Sequence, residues 1–554
     1  MKRIIYITAL LATSSLQAQI LNVNNSDGTF LPIDTKETHE ITFNETKKTV
    51  TLSLNGGIQH IFHTGKVESI SPDTDKKDQL VYNLEPTVSF DKEDENNFDE
   101  IVETIPTEET EDNDYGDFVE KYSVNNIINI TFSEGNVTVS GSIPYTKNGA
   151  HLTINSTSSK VRYVVSGKCS NGSLKIYSEK KFQIMLSGLD LTNPNGPAIN
   201  IQTGKTIYIT LNDGTTNSVC DGVTYNAPAV GTDGTEEDQK GTIFSEGQLV
   251  FNGFKDGSGI LNVTSLGGHG ICSDDYIRIR SGNINIVKAA KDGFHTNDKF
   301  IVGRTSTASP TITVNATNDG IDCGKGEVVI NAGKLVLNTG GEAIKSVYEE
   351  ENPDPLVTPN ATINGGYIKF TTTGEKSSGI KTTGTYKQTG GIIHGTVKGD
   401  GSKILNCDSN ITFTGGKLTG FSTGTVLNDT TLAGGIKCEG NFDIQKGSVA
   451  IECTGKGAKG INCNNATIKG GEITILSTAE NFAGIEKERK SQALDAANIT
   501  ITNGNTRLRA FDDAVSATKL NIYKGTLHAI SDNATAIDAT ISQTAGWVMT
   551  KENE

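Results

Sequence analysis

Three stretches of the chain place carboxylates and carboxamides beside an apolar residue at nearly one spacing. "GHGICSDDYIRI" (268–279) carries Asp274 and Asp275, "KDGFHTNDKFIV" (291–302) carries Asp292, Asn297 and Asp298, and "NDGIDCGKGEVVI" (318–330) carries Asn318, Asp319 and Asp322. Oxygen-rich groups of this kind suit a hard divalent cation, because calcium takes roughly six to eight oxygen ligands from carboxylates, amides and backbone carbonyls. Two carboxylates ~5 Å apart repel by ~1 kcal/mol in bulk water and by several times that near a protein surface. The nearby cations are few, chiefly Arg278, Arg280, Lys291 and Lys299. These eight residues are therefore the expected calcium ligands. Asp-Gly and Asn-Gly are also ordinary turn formers whose side chains cap their own backbone, and the spacing matches neither an EF-hand nor a nonapeptide calcium repeat.

A second set has side chains suited to a sugar acid. Lys345 in "GEAIKS" and Lys381 in "SGIKT" each follow an apolar anchor by one residue and should point outward on the acidic side. His295 lies among the acidic positions, and Tyr276 is an aromatic residue next to Asp275. Tyr276, His295, Lys345 and Lys381 are the expected ligand contacts. With a single tryptophan, Trp547, and only 6% aromatic residues, an open polar groove is expected rather than an aromatic platform for crystalline glycan.

The elements that must hold these groups are short strands. The apolar anchors Ile271, Phe294, Ile321, Ile344, Ile380, Leu405, Val426, Ile461, Leu494, Val515 and Ile537 recur at 21 to 36 residues, with the short intervals between 21 and 25. Each unit also carries a glycine followed by an alternating run, as in "SGNINIV", "AGKLVLN" and "GGYIKFT". Period-two alternation marks strands. A unit this small cannot bury its own apolar face, and stacking on a neighbour does so. The pattern predicts an all-β chain built as a parallel β-helix, with equivalent positions superimposed at ~4.8 Å per turn. A propeller would need blades of about 40 residues or more.

The remaining sequence sets the frame. Residues 1–18, with Lys2, Arg3 and an apolar run ending in small residues, read as a secretory signal peptide, so the chain is expected to be secreted. Residues 19–72 read as a small β module, 73–120 as a solvated acidic linker, and 121–550 as the β-helix. Of the net charge of −16, the stretch from Asp91 to Glu120 contributes 14 acidic residues against one lysine. No basic stripe exists to meet nucleic acid, and no segment approaches a transmembrane length. The eight cysteines include no CxxC pair, which leaves disulfides and buried free thiols open. Cys323, Cys407 and Cys463 lie two residues after an anchor and should point inward.

"FSEGQLVFNG", "GHGICSDDYIRIRSG", "KDGFHTNDKFIV" and "NDGIDCGKGEVVINAGKLVL" resemble bacterial secreted carbohydrate-binding-domain proteins over about residues 120–350. The resemblance implies a right-handed parallel β-helix with bound calcium, associated with cellulose and pectic polysaccharides. Together, these readings predict a secreted calcium-binding protein that binds polysaccharide without cleaving it. A calcium-dependent polysaccharide lyase on the same scaffold and a cell-surface adhesin are the alternatives.

Overall fold

The computed structural model describes residues 20–25, 30–34, 36–64, 67–72, 86–108, 115–230, 234–348, 350 and 354–552. The expected signal peptide, part of the expected linker and a few loop residues lie outside them. Among the described residues there is no α-helix, only single 3-10 turns at Glu93–Glu95, Tyr115–Asp117 and Val119–Lys121. None of the described residues forms a helix long and apolar enough to cross a membrane. The chain divides into two compact units, Phe90–Thr423 and Met1–Ser89 with Gly424–Glu554.

In the Phe90–Thr423 unit most strands run parallel, and from Ile199–Gln202 onward each pairs with the strand three further along. His269–Ser273 pairs with Phe294–Thr296, then Ile321–Cys323, Ile344–Ser346, Ile380–Thr382 and Lys403–Cys407. Ile277–Ile279 begins a second such ladder through Lys299–Val302 and Glu327–Ile330. Asn283–Ala289 leads a third through Thr311–Ala316, Lys334–Thr339 and Tyr367–Thr372. The chain visits the three ladders in rotation, so one turn of the path adds one strand to each.

The anchors explain the register. Leu152, Leu174, Ile199, Ile243, Ile271, Phe294, Ile321, Ile344, Ile380 and Leu405 stand opposite one another in sequence, each buried. Each such side chain is worth roughly 1.5–3 kcal/mol when removed from water. A slip of one residue would turn the whole file outward. Volume is matched between turns as well: Phe370 faces Gly395 in register, and a Cβ added at Gly395 would lie 2.3 Å from the ring.

In the other unit Ile461, Leu494, Val515 and Ile537 are likewise in register, and the residue opposite Ile461 is Ile436. Val426, expected in this file, is buried but lies outside any strand. A count of 21 residues from Leu405 ends in the loop that precedes strand Gly434–Cys438. The module expected over 19–72 is antiparallel, but it is not separate. Its strand Ile58–His63 pairs with Trp547–Glu552, and Val50, Leu52, Leu54 and Phe62 form a core against Trp547. The pairing covers a strand edge whose N–H and C=O groups would otherwise be open to pairing with other chains.

The acidic stretch is docked rather than solvated over its described residues. Ile101 N–H donates to Asn331 O at 2.8 Å, Glu103 N–H to Arg304 O at 2.9 Å, and Asp99 O accepts from Gly366 N–H at 2.7 Å. Its acids meet basic side chains from successive turns. Asp94 binds Lys417 at 2.6 Å and His394 at 2.8 Å, Glu100 binds Arg304 at 3.0 Å, and Glu95 pairs with Lys334. Glu103 and Asp117 hold Arg278, Glu103 and Glu120 hold Arg280, and Phe118 lies 4.3 Å beneath the Arg280 guanidinium. The segment thus serves as a strap matched to a row of cations.

Candidate functional site

Stacking brings the predicted acidic positions together in two places. In the first, His269, Asp292, Asp319 and Glu342 occupy one position of successive turns, two residues before the anchor. The bonds Gly270 N–H to Asp292 O, Gly293 N–H to Asp319 O and Gly320 N–H to Glu342 O tie them together. Beside them runs a second file, Cys272, His295, Asp322, Lys345 and Lys381, in direct register. The side chains interlock with alternating sign. His269 Nδ1 is 3.0 Å and His295 Nδ1 3.5 Å from Asp292 Oδ2. His295 Nδ1 is also 3.1 Å from Asp322 Oδ2. Lys345 Nζ reaches Asp319 at 3.2 Å and Asp322 at 3.3 Å.

The titration of these groups follows from their neighbours. Burial would push Asp292 up, but hydrogen bonds from His269 and His295 hold it well below the usual carboxylate range. Burial would lower His295, yet Asp292 and Asp322 bring it up to about 9. Burial and the adjacent Glu342 push Asp319 up to about 7, against the pull of Lys345. The row therefore carries much of its counter-charge internally, on imidazole and ammonium nitrogen. Of these partners Lys345 is a surface charge the sequence already offered to offset the aspartates, whereas neither histidine was expected to pair with them.

The second place lies around Asp274. Its Oδ1 binds Lys240 Nζ at 2.6 Å, and Lys240 also holds Asp238 at 2.7 Å. Carboxylate oxygens of Asp238, Glu246 and Asp274 lie within 4.8 Å of one another. Burial, then neighbouring acids, raises Glu246, and burial with Asp238 raises Asp274 against the pull of Lys240. Negative charge here exceeds what one lysine offsets. Asp238 and Glu246 were not among the sequence candidates: Asp238 lies in the loop before strand Gly241–Ser245, and Glu246 follows Ile243 by three residues as Asp274 follows Ile271, one turn before the first stretch considered. Asp275 accepts from Gln248 and is raised by burial and by Asp298. Asn297 Nδ2 donates to Asp274 O at 3.1 Å, and Asp298 N–H to Asp275 O at 3.0 Å. Asn318 is exposed and tied through its backbone to Lys291 and Gly341.

The expected ligand contacts separate. His295 and Lys345 join the charged row. Lys381 stands next to Lys345 in register and makes no ion pair with a described residue. The Tyr276 hydroxyl donates to Asp117 of the strap, so it does not face an open groove.

A cleft of about 260 Å³ that the sequence did not reveal lies on another part of the same unit. A polar ladder crosses its wall from turn to turn. Arg162 Nε donates to Gln183 Oε1 at 2.6 Å, Gln183 Nε2 to Thr210 Oγ1 at 2.7 Å, and Thr210 Oγ1 to Asn252 Oδ1 at 3.3 Å. Ser281, Lys255 and Thr305–Thr307 complete the polar lining. Phe254 also lines it, 39% exposed, with Lys255 Nζ 5.4 Å from its ring centroid. Glu120, the one carboxylate of the lining, is bound to Arg280 at 2.6 Å. The four ladder residues span nearly a hundred positions of sequence, and only the winding aligns them.

No curated protein matches the chain. A solved structure described as the polysaccharide lyase-like protein from C. thermocellum, gadolinium derivative, aligns at 20% identity with a TM-score of 0.34, over 57% of this chain and 96% of that one. Residues 148–425 and 428–539, well over half of the chain, match the model of the carbohydrate-binding domain-containing protein family. The chain belongs to that family.

Proposed function

We propose that this family member is a secreted, calcium-binding protein that holds an acidic polysaccharide without cleaving it, on a right-handed parallel β-helix. The observation that carries the reading is the cleft. Saccharide sites combine an apolar ring face with a few fixed polar groups, and the half-exposed Phe254 beside the Arg162–Gln183–Thr210–Asn252 ladder supplies both. Arg162 and Lys255 bring positive charge to the lining. A guanidinium engages a carboxylate through paired, charge-assisted hydrogen bonds, which favours a uronate over a neutral glucan. The rotation of strands through three ladders supports the β-helix, and the basic, apolar start of the chain supports export.

Calcium fits Asp238, Glu246 and Asp274, an all-oxygen set with surplus negative charge. Bound there, it would supply the positive charge that Lys240 alone does not. Asp292, Asp319 and Asp322 fit it less well, because nitrogen donors already engage their oxygens.

Affinity electrophoresis on polygalacturonate and on a neutral glucan, with calcium and with chelator, tests the reading. Phe254→Ala and Arg162→Met should each weaken polygalacturonate binding about tenfold, equivalent to ~1.4 kcal/mol. Retention unchanged in both variants would reject the cleft. Release of an ultraviolet-absorbing unsaturated product would replace the non-cleaving reading with the lyase.

A further inference from the structure

We propose that His269, Asp292 and His295 form a transition-metal site, of the zinc class, separate from both the cleft and the oxygen-only group around Asp274. Three donor atoms converge: the two histidine Nδ1 atoms lie 3.0 and 3.5 Å from a single oxygen, Asp292 Oδ2. All three lie within 4.8 Å of one another. Zinc binds nitrogen and carboxylate oxygen at about 2.0–2.2 Å, so tetrahedral donors stand roughly 3.4 Å apart. The observed separations bracket that value. Calcium requires more ligands, all oxygen, whereas imidazole suits zinc, copper and nickel.

The supporting shell is built for the same atoms. Asp292 Oδ1 accepts the Asp319 backbone N–H at 3.0 Å, which leaves Oδ2 directed at the imidazoles. The imidazole rings stack with centroids 4.5 Å apart at 24°, which fixes both ring orientations. Asp322 Oδ2 lies 3.1 Å from the same donor atom, His295 Nδ1, close enough to serve as a fourth ligand. Each donor sits on or beside a short strand of adjoining turns, so the frame is rigid before any ion arrives. The site opens on one side: the side chains of His269 and His295 are 12% and 24% exposed. A two-histidine, one-carboxylate set with an open face can admit a further ligand such as water or a sugar hydroxyl.

The full chain, prepared without a histidine tag and stripped with chelator, is titrated with Co²⁺ and followed by visible absorption. One equivalent should bind with a ligand-field band, Zn²⁺ should displace it, and millimolar Ca²⁺ should not. His269→Asn and His295→Asn should each weaken Co²⁺ binding at least about tenfold, while Asp274→Asn leaves it unchanged. Thermal melts of each variant separate lost binding from lost folding. If a histidine variant fails to fold, zinc protection of wild-type histidines from diethylpyrocarbonate gives the second readout. Absence of a band, uptake insensitive to both histidine variants, or unprotected histidines would overturn the site. None of these outcomes bears on polysaccharide retention.

Discussion

Replacing Glu103 by alanine should release the acidic strap while leaving the stacked turns intact. Glu103 Oε1 binds Arg278 NH2 at 2.9 Å and Oε2 binds Arg280 Nε at 2.9 Å. All three side chains are buried, at 6%, 7% and 1% exposure. Removing one partner of a buried pair leaves an uncompensated charge and typically costs ~3–5 kcal/mol. Asp117 still holds Arg278 at 2.8 Å and Glu120 still holds Arg280 at 2.6 Å, so the lower end, ~3 kcal/mol, applies. At tenfold per ~1.4 kcal/mol, protection of the strap amides should fall by roughly 150-fold. Hydrogen exchange read by mass spectrometry on the segment containing Ile101 and Glu103 reports it, because those N–H groups bond to Asn331 and Arg304. Segments around Phe294 should exchange as in the wild type. The double variant Glu103→Leu with Arg280→Met should recover most of the loss, since an apolar pair of similar volume replaces a buried ion pair at little cost. A fall in protection of less than about threefold in Glu103→Ala would show that the pair is worth no more than a solvent-exposed one.

Trp547, the one tryptophan, offers an acid-sensitive reporter in the other unit. Its Nε1 donates to His60 Nδ1 at 3.3 Å and its ring meets His528 edge-on at 4.9 Å. Burial first, then positive neighbours, pushes both imidazoles from 6.5 down to about 4. The stability gained by keeping them neutral is present above pH ~6.5 and is lost as pH falls through about 4. The melting temperature should fall progressively from pH 6.5 to about 4, while Trp547 fluorescence of the folded chain should change only near pH 4, where its two imidazole neighbours take up protons; a melting temperature flat across that range would contradict the burial. Gly395→Ala should lower the urea midpoint by the equivalent of ~1–3 kcal/mol of overpacking against Phe370; suppression by Phe370→Leu would identify the cause. All eight cysteines are free, so thiol titration without reductant should count eight after unfolding, with the six buried ones slow to react before it. A disulfide found by mass spectrometry would contradict that.

The repeat was legible because it is written in residue type. An apolar residue once per turn, a glycine before each alternating run and aspartates near the anchor follow from what a stacked strand requires, and the register Ile271–Phe294–Ile321–Ile344–Ile380–Leu405 agrees with it. The one slip, Val426 in place of Ile436, arose because loop length is not coded as strictly as strand alternation. The strap was illegible for a different reason. Taken alone, residues 91–120 have too little apolar content to fold, and nothing local shows that Arg278, Arg280, Arg304, Lys334, His394 and Lys417 will line up to receive them.

The chemistry of the acidic positions divides in the same way. Spacing alone determined that carboxylates of adjacent turns would share one side of the winding, since period and register set where a Cβ points. Which groups neutralise them is a matter of a few ångströms between side-chain tips. Tertiary structure set His269 and His295 against Asp292, Lys345 against Asp319 and Asp322, and Asp238 and Glu246 around Asp274. It also assembled the cleft from residues 119 to 308. Coulomb and hydrogen-bond energies change steeply over those distances, while the sequence pattern is the same whether the tips meet or miss.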